Sequence, residues 1–245
     1  MSRVLARSCQ FPDSLLIQRR GTHYRIKTTV PNQRQLLTDG ICEAAETAYL
    51  ERFLRPGMVV VDIGANIGYY TLLCSRCVGP GGHVYAFEPT PANIEQLTEN
   101  LRLNPFATNV TVRACAAGEA ARRLQLIESA GDSGQNYMSL AEGGTEVIAI
   151  DSLQLPRLDF LKMDTEGFEP YVLRGAAATI ARCRPVLLVE VNPPFLARYG
   201  HTASDLAKLL AQMGYRLQHP TWRGLEPYRE PTRKEIFLNV LAFPI

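Results

Sequence analysis

The sequence has 245 residues, 46% of them hydrophobic and 20% charged, with a net charge of +2. That is enough chain for one α/β domain with additions, or two small domains at most, and enough apolar residue to bury a core. No apolar run reaches membrane length, and residues 1 to 17 lack the apolar segment and cleavage site of a signal peptide, so membrane insertion is not expected and a cytoplasmic location is.

Residues 1 to 34 carry seven Arg/Lys against one acid, Asp13. The arginines are dispersed among apolar residues without aromatic interleaving. This reads as a solvated N-terminal basic arm or hairpin over residues 1–40, not a nucleic-acid site. Residues 41–245 then form one catalytic domain. Six scattered cysteines (9, 42, 74, 77, 115 and 183) read as reduced thiols. The pair in "CSRC", at 74 to 77, lies inside a helical pattern with no second CxxC, so core packing is expected of it.

From residue 41 onward, short β-branched runs alternate with helical patterns, the signature of βαβ units around a parallel sheet. Residues 41 to 54 read as a helix stopped by "RPG". A strand from Met58 to Ile63 leads into a helix starting near Asn66. "HVYAFE" is the next strand, and "PTPANIEQLTENLRLN" the next helix. In it Thr90 sits at the cap, Pro91 in the first turn, and Ile94, Leu97 and Leu101 on one face. "NVTVRACA" is a third strand. Residues 118 to 150 hold no good helix, only the β-like runs "RRLQLIE" and "EVIAI" around a polar loop. "LDFLKMD" and "PVLLVEV" are further strands, separated by a helix with Pro170 in its first turn. Residues 204 to 213 form a helix closed by Gly214. "YRLQHP" and "IFLNVLAFPI" end the chain as an antiparallel pair, joined by residues 219 to 234, which look irregular. That link, with Trp222 and Tyr228, is expected to shape substrate entry or cover the sheet edge. The expected fold is α/β, a mostly parallel doubly wound sheet with an antiparallel last strand, a layout that suits a Rossmann-like methyltransferase better than a dinucleotide dehydrogenase.

The segment "VVVDIGANIGYYT", residues 59 to 71, is the first strand-to-helix turn, where ligands of open α/β sheets sit. Gly64 and Gly68 remove Cβ atoms where the backbone turns and a ligand approaches. The helix start offers free N–H groups to an anion. A dinucleotide fingerprint needs a glycine where Asn66 stands, and two tyrosines crowd the entry, so a pyrophosphate fits poorly. A carboxylate fits better, with Asp62 available to an ammonium group. Glu88 ends the next strand, placed to accept both ribose hydroxyls. An adenosine bearing an amino acid is S-adenosylmethionine. Its expected contacts are Asp62, Gly64, Asn66, Gly68, Tyr69, Thr71 and Glu88.

"VVVDIGANIGYYT", "VYAFEPTPANIEQLTENLRLN", "IDSLQLPRLDFLKMDTEGFEPYVLRGA" and "PVLLVEVN" resemble the FkbM family of S-adenosylmethionine-dependent methyltransferases, over about residues 41 to 218. The distinctive part is the run Lys162, Asp164, Glu166, Gly167, Glu169. The resemblance implies O-methylation of a hydroxyl on a sugar, glycolipid, polysaccharide or natural product.

An alcohol acceptor calls for a base or a metal. Asp164, ending a strand where desolvation can raise its basicity, is the first candidate, Glu190 the second and His201 the third. Glu166 and Glu169 can instead order the turn and the next helix start. Asp164, Glu190 and Asn192 offer oxygen ligands to Mg²⁺, but carboxylates so placed need no metal, and none is expected. The rival readings are an NAD-dependent oxidoreductase and a non-catalytic S-adenosylmethionine-binding scaffold.

Overall fold

Near-continuous apolar runs place the strands of the main sheet between two layers of helices. The computed structural model describes residues 12–129, 133–231 and 238–245. Its elements are β1 (Ser14–Arg19), β2 (Thr22–Lys27), α1 (Pro31–Thr38), α2 (Ala44–Phe53), β3 (Val59–Ile63), α3 (Tyr69–Val78), β4 (His83–Phe87), α4 (Pro91–Arg102), β5 (Val110–Arg113), β6 (Ala116–Ala117), β7 (Arg122–Ile127), β8 (Tyr137–Glu142), β9 (Thr145–Ile148), β10 (Phe160–Met163), α5 (Glu169–Gly175), α6 (Ala177–Cys183), β11 (Val186–Val191), α7 (Pro193–Arg198), α8 (Ala203–Gln212), β12 (Tyr215–Thr221), β13 (Gly224–Pro227) and β14 (Leu238–Pro244).

The main sheet has the order β13-β12-β14-β11-β10-β3-β4-β5. β11, β10, β3, β4 and β5 are parallel, and β14 runs antiparallel between β11 and β12. Side chains alternate across it. Val60, Phe160, Leu188 and Leu241 pack with Leu50 of α2 and Leu73 of α3 on one face. Val61, Leu161, Leu187 and Val240 pack with Val172, Ile180 and Leu206 on the other. Burial on both faces is why these strands read as near-continuous apolar runs.

The N-terminal hairpin closes through Arg20 and Gly21, both at positive φ, which matches the twist of a two-residue turn. It is not a free arm. Backbone N–H groups of His23 and Arg25 donate to the side chains of Asn104, just beyond α4, and Asn100 of α4, and Ile17, Tyr24 and Ile26 share a core with Leu72 of α3. Helix α1 follows, unforeseen because its sequence "PNQRQLLT" is mostly polar; Pro31 starts it and Leu36 anchors it.

Three further expectations need correcting. The run 109–116 is not one strand: β5 stays in the main sheet while β6 leaves it to pair with β9. In the helix-poor stretch 118–150 the two expected β runs form as β7 and β9, and what needs correcting is the loop between them, where β8 forms; with β6 these make a second sheet of order β6-β9-β7-β8. Much of residues 219–234 is regular, since β12 runs on to Thr221 and β13 pairs back on it; Trp222 at the turn is 83% exposed, and residues 232–234 lie outside the described ones. The described cysteines are all free thiols, and Cys74 of "CSRC" is buried in α3, as packing predicts; Cys9 lies outside the described residues. Among the described residues no helix is long and apolar enough to cross a membrane.

Candidate active site

Strand order reverses between β3 and β10, and the loops at their carboxyl ends meet there. The approach is so close that a Cβ on Gly64 (φ +75°) would lie 1.9 Å from the Asp164 carbonyl oxygen. Only glycine fits. Asn66 turns left-handed (φ +49°), and its backbone N–H donates to Glu88 Oε2 at 2.8 Å. Glu88 Oε1 accepts from the Thr90 N–H at 2.9 Å and from Asn93 Nδ2 at 3.3 Å. The Glu88 carboxylate therefore ties the glycine loop to the start of α4. Burial raises its pKa above the ordinary value, with the Thr90 and Asn66 N–H groups opposing.

Two cavities open from this point. The first, about 60 Å³, is lined by Gly64, Asn66, Glu88, Ala117, Met138 and Phe168, among others. The β6–β9 sheet forms its far wall through Ala116, Ala117, Leu126 and Met138. The second, about 370 Å³, is wider. It runs between α1, the start of α2, and the ends of β10 and β11, past Leu36, Glu43, Tyr69, Lys162, Glu190 and Asn192. Gly64, Asn66, Gly134, Asp164 and Glu166 line both.

The first cavity fits S-adenosylmethionine on two grounds. Glu88 presents a carboxylate to it, and Asn66 Oδ1 is buried with no hydrogen bond among the described residues, an acceptor awaiting a donor. Other residues expected at the cofactor are placed differently. Asp62 is 0% exposed and lines neither cavity; its Oδ2 accepts from Thr71 Oγ1 at 2.6 Å, and its Oδ1 lies 3.6 Å from Lys162 Nζ. Both Asp62 and Thr71 thus act inside the protein, behind the glycine loop. Gly68 caps α3 at φ +94°, where a Cβ would meet Leu97 at 2.5 Å. Tyr69 lines the wider cavity alone and shares a hydrogen bond with Thr47.

Lys162 was visible in the motif without a role. It pairs in register with Asp62 across the strands, and its ammonium reaches Gly64 O at 3.2 Å and Asp164 Oδ2 at 3.3 Å, over the Tyr70 ring. Burial opposes its charge, but Asp164, Asp62 and Glu43 outweigh that and raise its pKa. The i, i+2 spacing of Lys162 and Asp164 was the available signal, since it puts both on one face of a strand.

The Asp164 side chain is 35% exposed, so desolvation is not what marks it out. Glu190 is the desolvated acid. It is 8% exposed, and burial, then repulsion from Asp164, Glu166, Glu169 and Glu43, pushes its pKa well above the carboxylate range. Asp164, Glu166 and Glu190 each offer an oxygen within 4.8 Å of the others. Glu169 orders the turn, as expected: its Oε1 accepts from Thr165 N and Oγ1, both at 2.8 Å. Gly167 (φ +95°) lets that turn abut Phe195. His201 stands elsewhere, in a surface groove with Pro170, Arg174 and Lys208 and against Tyr171, so it is not placed to serve as the base.

Sheet order, glycine loop, the buried acid at the end of β4 and paired cavities together define a class I S-adenosylmethionine-dependent methyltransferase. Residues 62–217 match the Methyltransferase FkbM domain. The chain belongs to the FkbM methyltransferase family. It is 38% identical to the 31-O-demethyl-FK506 methyltransferase FkbM of Streptomyces tacrolimicus, covering 74% of this chain and 82% of that one. It is 27% identical to the hexuronic acid methyltransferase AglP of Haloferax volcanii, over 63% of this chain and 62% of that one, so it spans under two thirds of that relative. The crystal structure of an FkbM methyltransferase from Methylobacillus flagellatus superposes with a TM-score of 0.51 at 22% identity, covering 86% of this chain and 52% of that one. That likeness shows the fold.

Proposed function

We propose that this chain transfers a methyl group from S-adenosylmethionine to a hydroxyl oxygen of a carbohydrate-bearing or natural-product acceptor. The observation that carries the reading is the sharing of Asp164 and Glu166 by the two cavities, which sets carboxylates at the junction of cofactor and acceptor spaces. When bound, S-adenosylmethionine supplies a methyl on a positively charged sulfur, already activated for displacement. Glu88 and Asn66 hold its ribose and the adjoining polar groups. The acceptor lies in the wider cavity, its hydroxyl directed at the junction. As the O–CH₃ bond forms, the hydroxyl proton passes to a carboxylate, Asp164 or Glu190. The names of the two relatives, one acting on a hexuronic acid and one on 31-O-demethyl-FK506, support this acceptor class. An NAD-dependent oxidoreductase is disfavoured by left-handed Asn66 where the dinucleotide loop needs glycine.

The test is a panel of hydroxylated acceptors with methyl-labelled S-adenosylmethionine. Asp164→Asn and Glu190→Gln should each lower turnover by about 100- to 10,000-fold, with S-adenosylhomocysteine affinity kept within a few-fold. His201→Ala should turn over normally. Binding without transfer to any acceptor would favour the scaffold reading, and transfer to nitrogen or carbon would overturn the acceptor class.

A further inference from the structure

The acids at the junction are more numerous than proton transfer requires. We infer that Asp164, Glu166 and Glu190, with Asn192 as a fourth oxygen donor, form a binding site for one hard divalent cation. The inference deepens the reading above and rests on it only for the ion's part in turnover; the ion site itself stands on the side chains.

Three observations carry it. The first is distance. A Ca²⁺ ion, bound at about 2.3–2.6 Å, holds its oxygens at most about 4.6–5.2 Å apart, and the smaller Mg²⁺ draws them to about 4.2 Å; one oxygen from each of the three carboxylates already lies within 4.8 Å of the others. The second is independent of the acids. Asn192 is 3% exposed, lines the same cavity, and its Oδ1 accepts no hydrogen bond among the described residues. A buried amide oxygen in that state costs about 1–3 kcal/mol unless a donor or cation satisfies it. Glu190 Oε2 is in the same position. The third is charge. Lys162 is already divided between Asp62 and Asp164. One ammonium shared in this way leaves Glu190 without a counter-charge of its own among the described residues.

All the donors are oxygens, which selects Mg²⁺, Mn²⁺ or Ca²⁺ over the nitrogen- and sulfur-seeking metals. The donors come from the ends of adjacent parallel strands, β10 and β11, and from the residues just beyond, so the rigid sheet sets their spacing. Asp164, the most exposed of them, opens to both cavities and leaves an entry path. A cation there would have free positions towards the acceptor, where it could bind the hydroxyl and lower its pKa. This revises the expectation that the crevice needs no metal.

The experiment titrates Mn²⁺ into the full chain saturated with S-adenosylhomocysteine, without acceptor, and follows free Mn²⁺ by electron paramagnetic resonance. One saturable site per chain is expected, displaced by Mg²⁺ or Ca²⁺. Glu190→Gln and Asn192→Ala should each weaken it at least tenfold. Mg²⁺ should also raise the melting temperature of the wild type and leave that of Glu190→Gln unchanged, a readout that serves if a variant is poorly folded in one assay. No saturable binding up to millimolar Mn²⁺ in folded protein overturns the site, as does binding that neither substitution alters. A chain that methylates its acceptor in chelator without binding Mn²⁺ sinks the cation and leaves the proposed function standing. Mn²⁺ binding with no methylated acceptor does the reverse.

Discussion

Replacing Glu88 by glutamine tests whether this acid binds ribose alone or also builds the site. Gln matches Glu in size, so at a residue that only accepts ribose hydroxyls it would cost little stability. Here both carboxylate oxygens already accept from the protein: Oε2 from the Asn66 N–H, and Oε1 from the Thr90 N–H and Asn93 Nδ2. A glutamine amide has one oxygen. Either orientation aims its NH₂ group at a backbone N–H, leaving a buried donor facing a donor. The unmet N–H costs about 1–3 kcal/mol, and hydrogen bonds to a charged acceptor contribute about 1.5–3 kcal/mol each. Glu88→Gln should therefore lose about 2–4 kcal/mol of stability by urea denaturation. Its affinity for S-adenosylhomocysteine should fall at least about tenfold by calorimetry, as about 1.4 kcal/mol is one decade. Loss of affinity at wild-type stability would reduce Glu88 to a ribose acceptor. A stable variant with wild-type affinity would refute both roles.

Gly64→Ala should cripple cofactor binding. Its methyl would sit 1.9 Å from the Asp164 carbonyl at a φ that L-residues avoid, so the β3 or β10 loop must move, at a cost of about 2 kcal/mol or more; a folded variant titrating normally with S-adenosylhomocysteine would disprove the contact. A pH effect is expected at Glu46, whose pKa burial and then the Glu43 charge raise to about 7. The folded state there holds its proton more tightly than the unfolded chain, so the residue costs stability as pH rises from about 4.5 to about 7. Glu46→Gln should match the wild type near pH 4.5 and exceed it by about 1–2 kcal/mol at pH 8, measured by denaturant titration at both; equal stability at pH 8 would remove the argument.

What the sequence determined by itself is local. Strands such as "VVVDI" and "LDFLKM" are buried on both faces, and their mostly apolar runs, interrupted by few charged residues, say so without a structure. The left-handed turn at Gly64 follows from the glycine, and Glu88 from its place at a strand end. Asp164 and Glu190 were legible as acids at strand ends for the same reason. The sequence could not show which ends are neighbours. Asp62 and Lys162 are 100 positions apart in number and in register in space, so an acid read as an ammonium ligand lies 3.6 Å from a buried lysine. His201 follows β11 closely in sequence, yet α7 carries it away from the crevice to a surface groove. Helix α1 has too few apolar residues to announce itself, and it forms because β2 and α4 supply what it packs on. Desolvation was decided in the same way. Glu190 and Asp164 look alike in the sequence, and only the packing of β11 between β10 and β14 leaves the first buried and the second open to both cavities. Propensity and pattern act through a residue's neighbours along the chain, whereas pKa, pairing and access depend on neighbours in space, which the order of strands in the sheet selects.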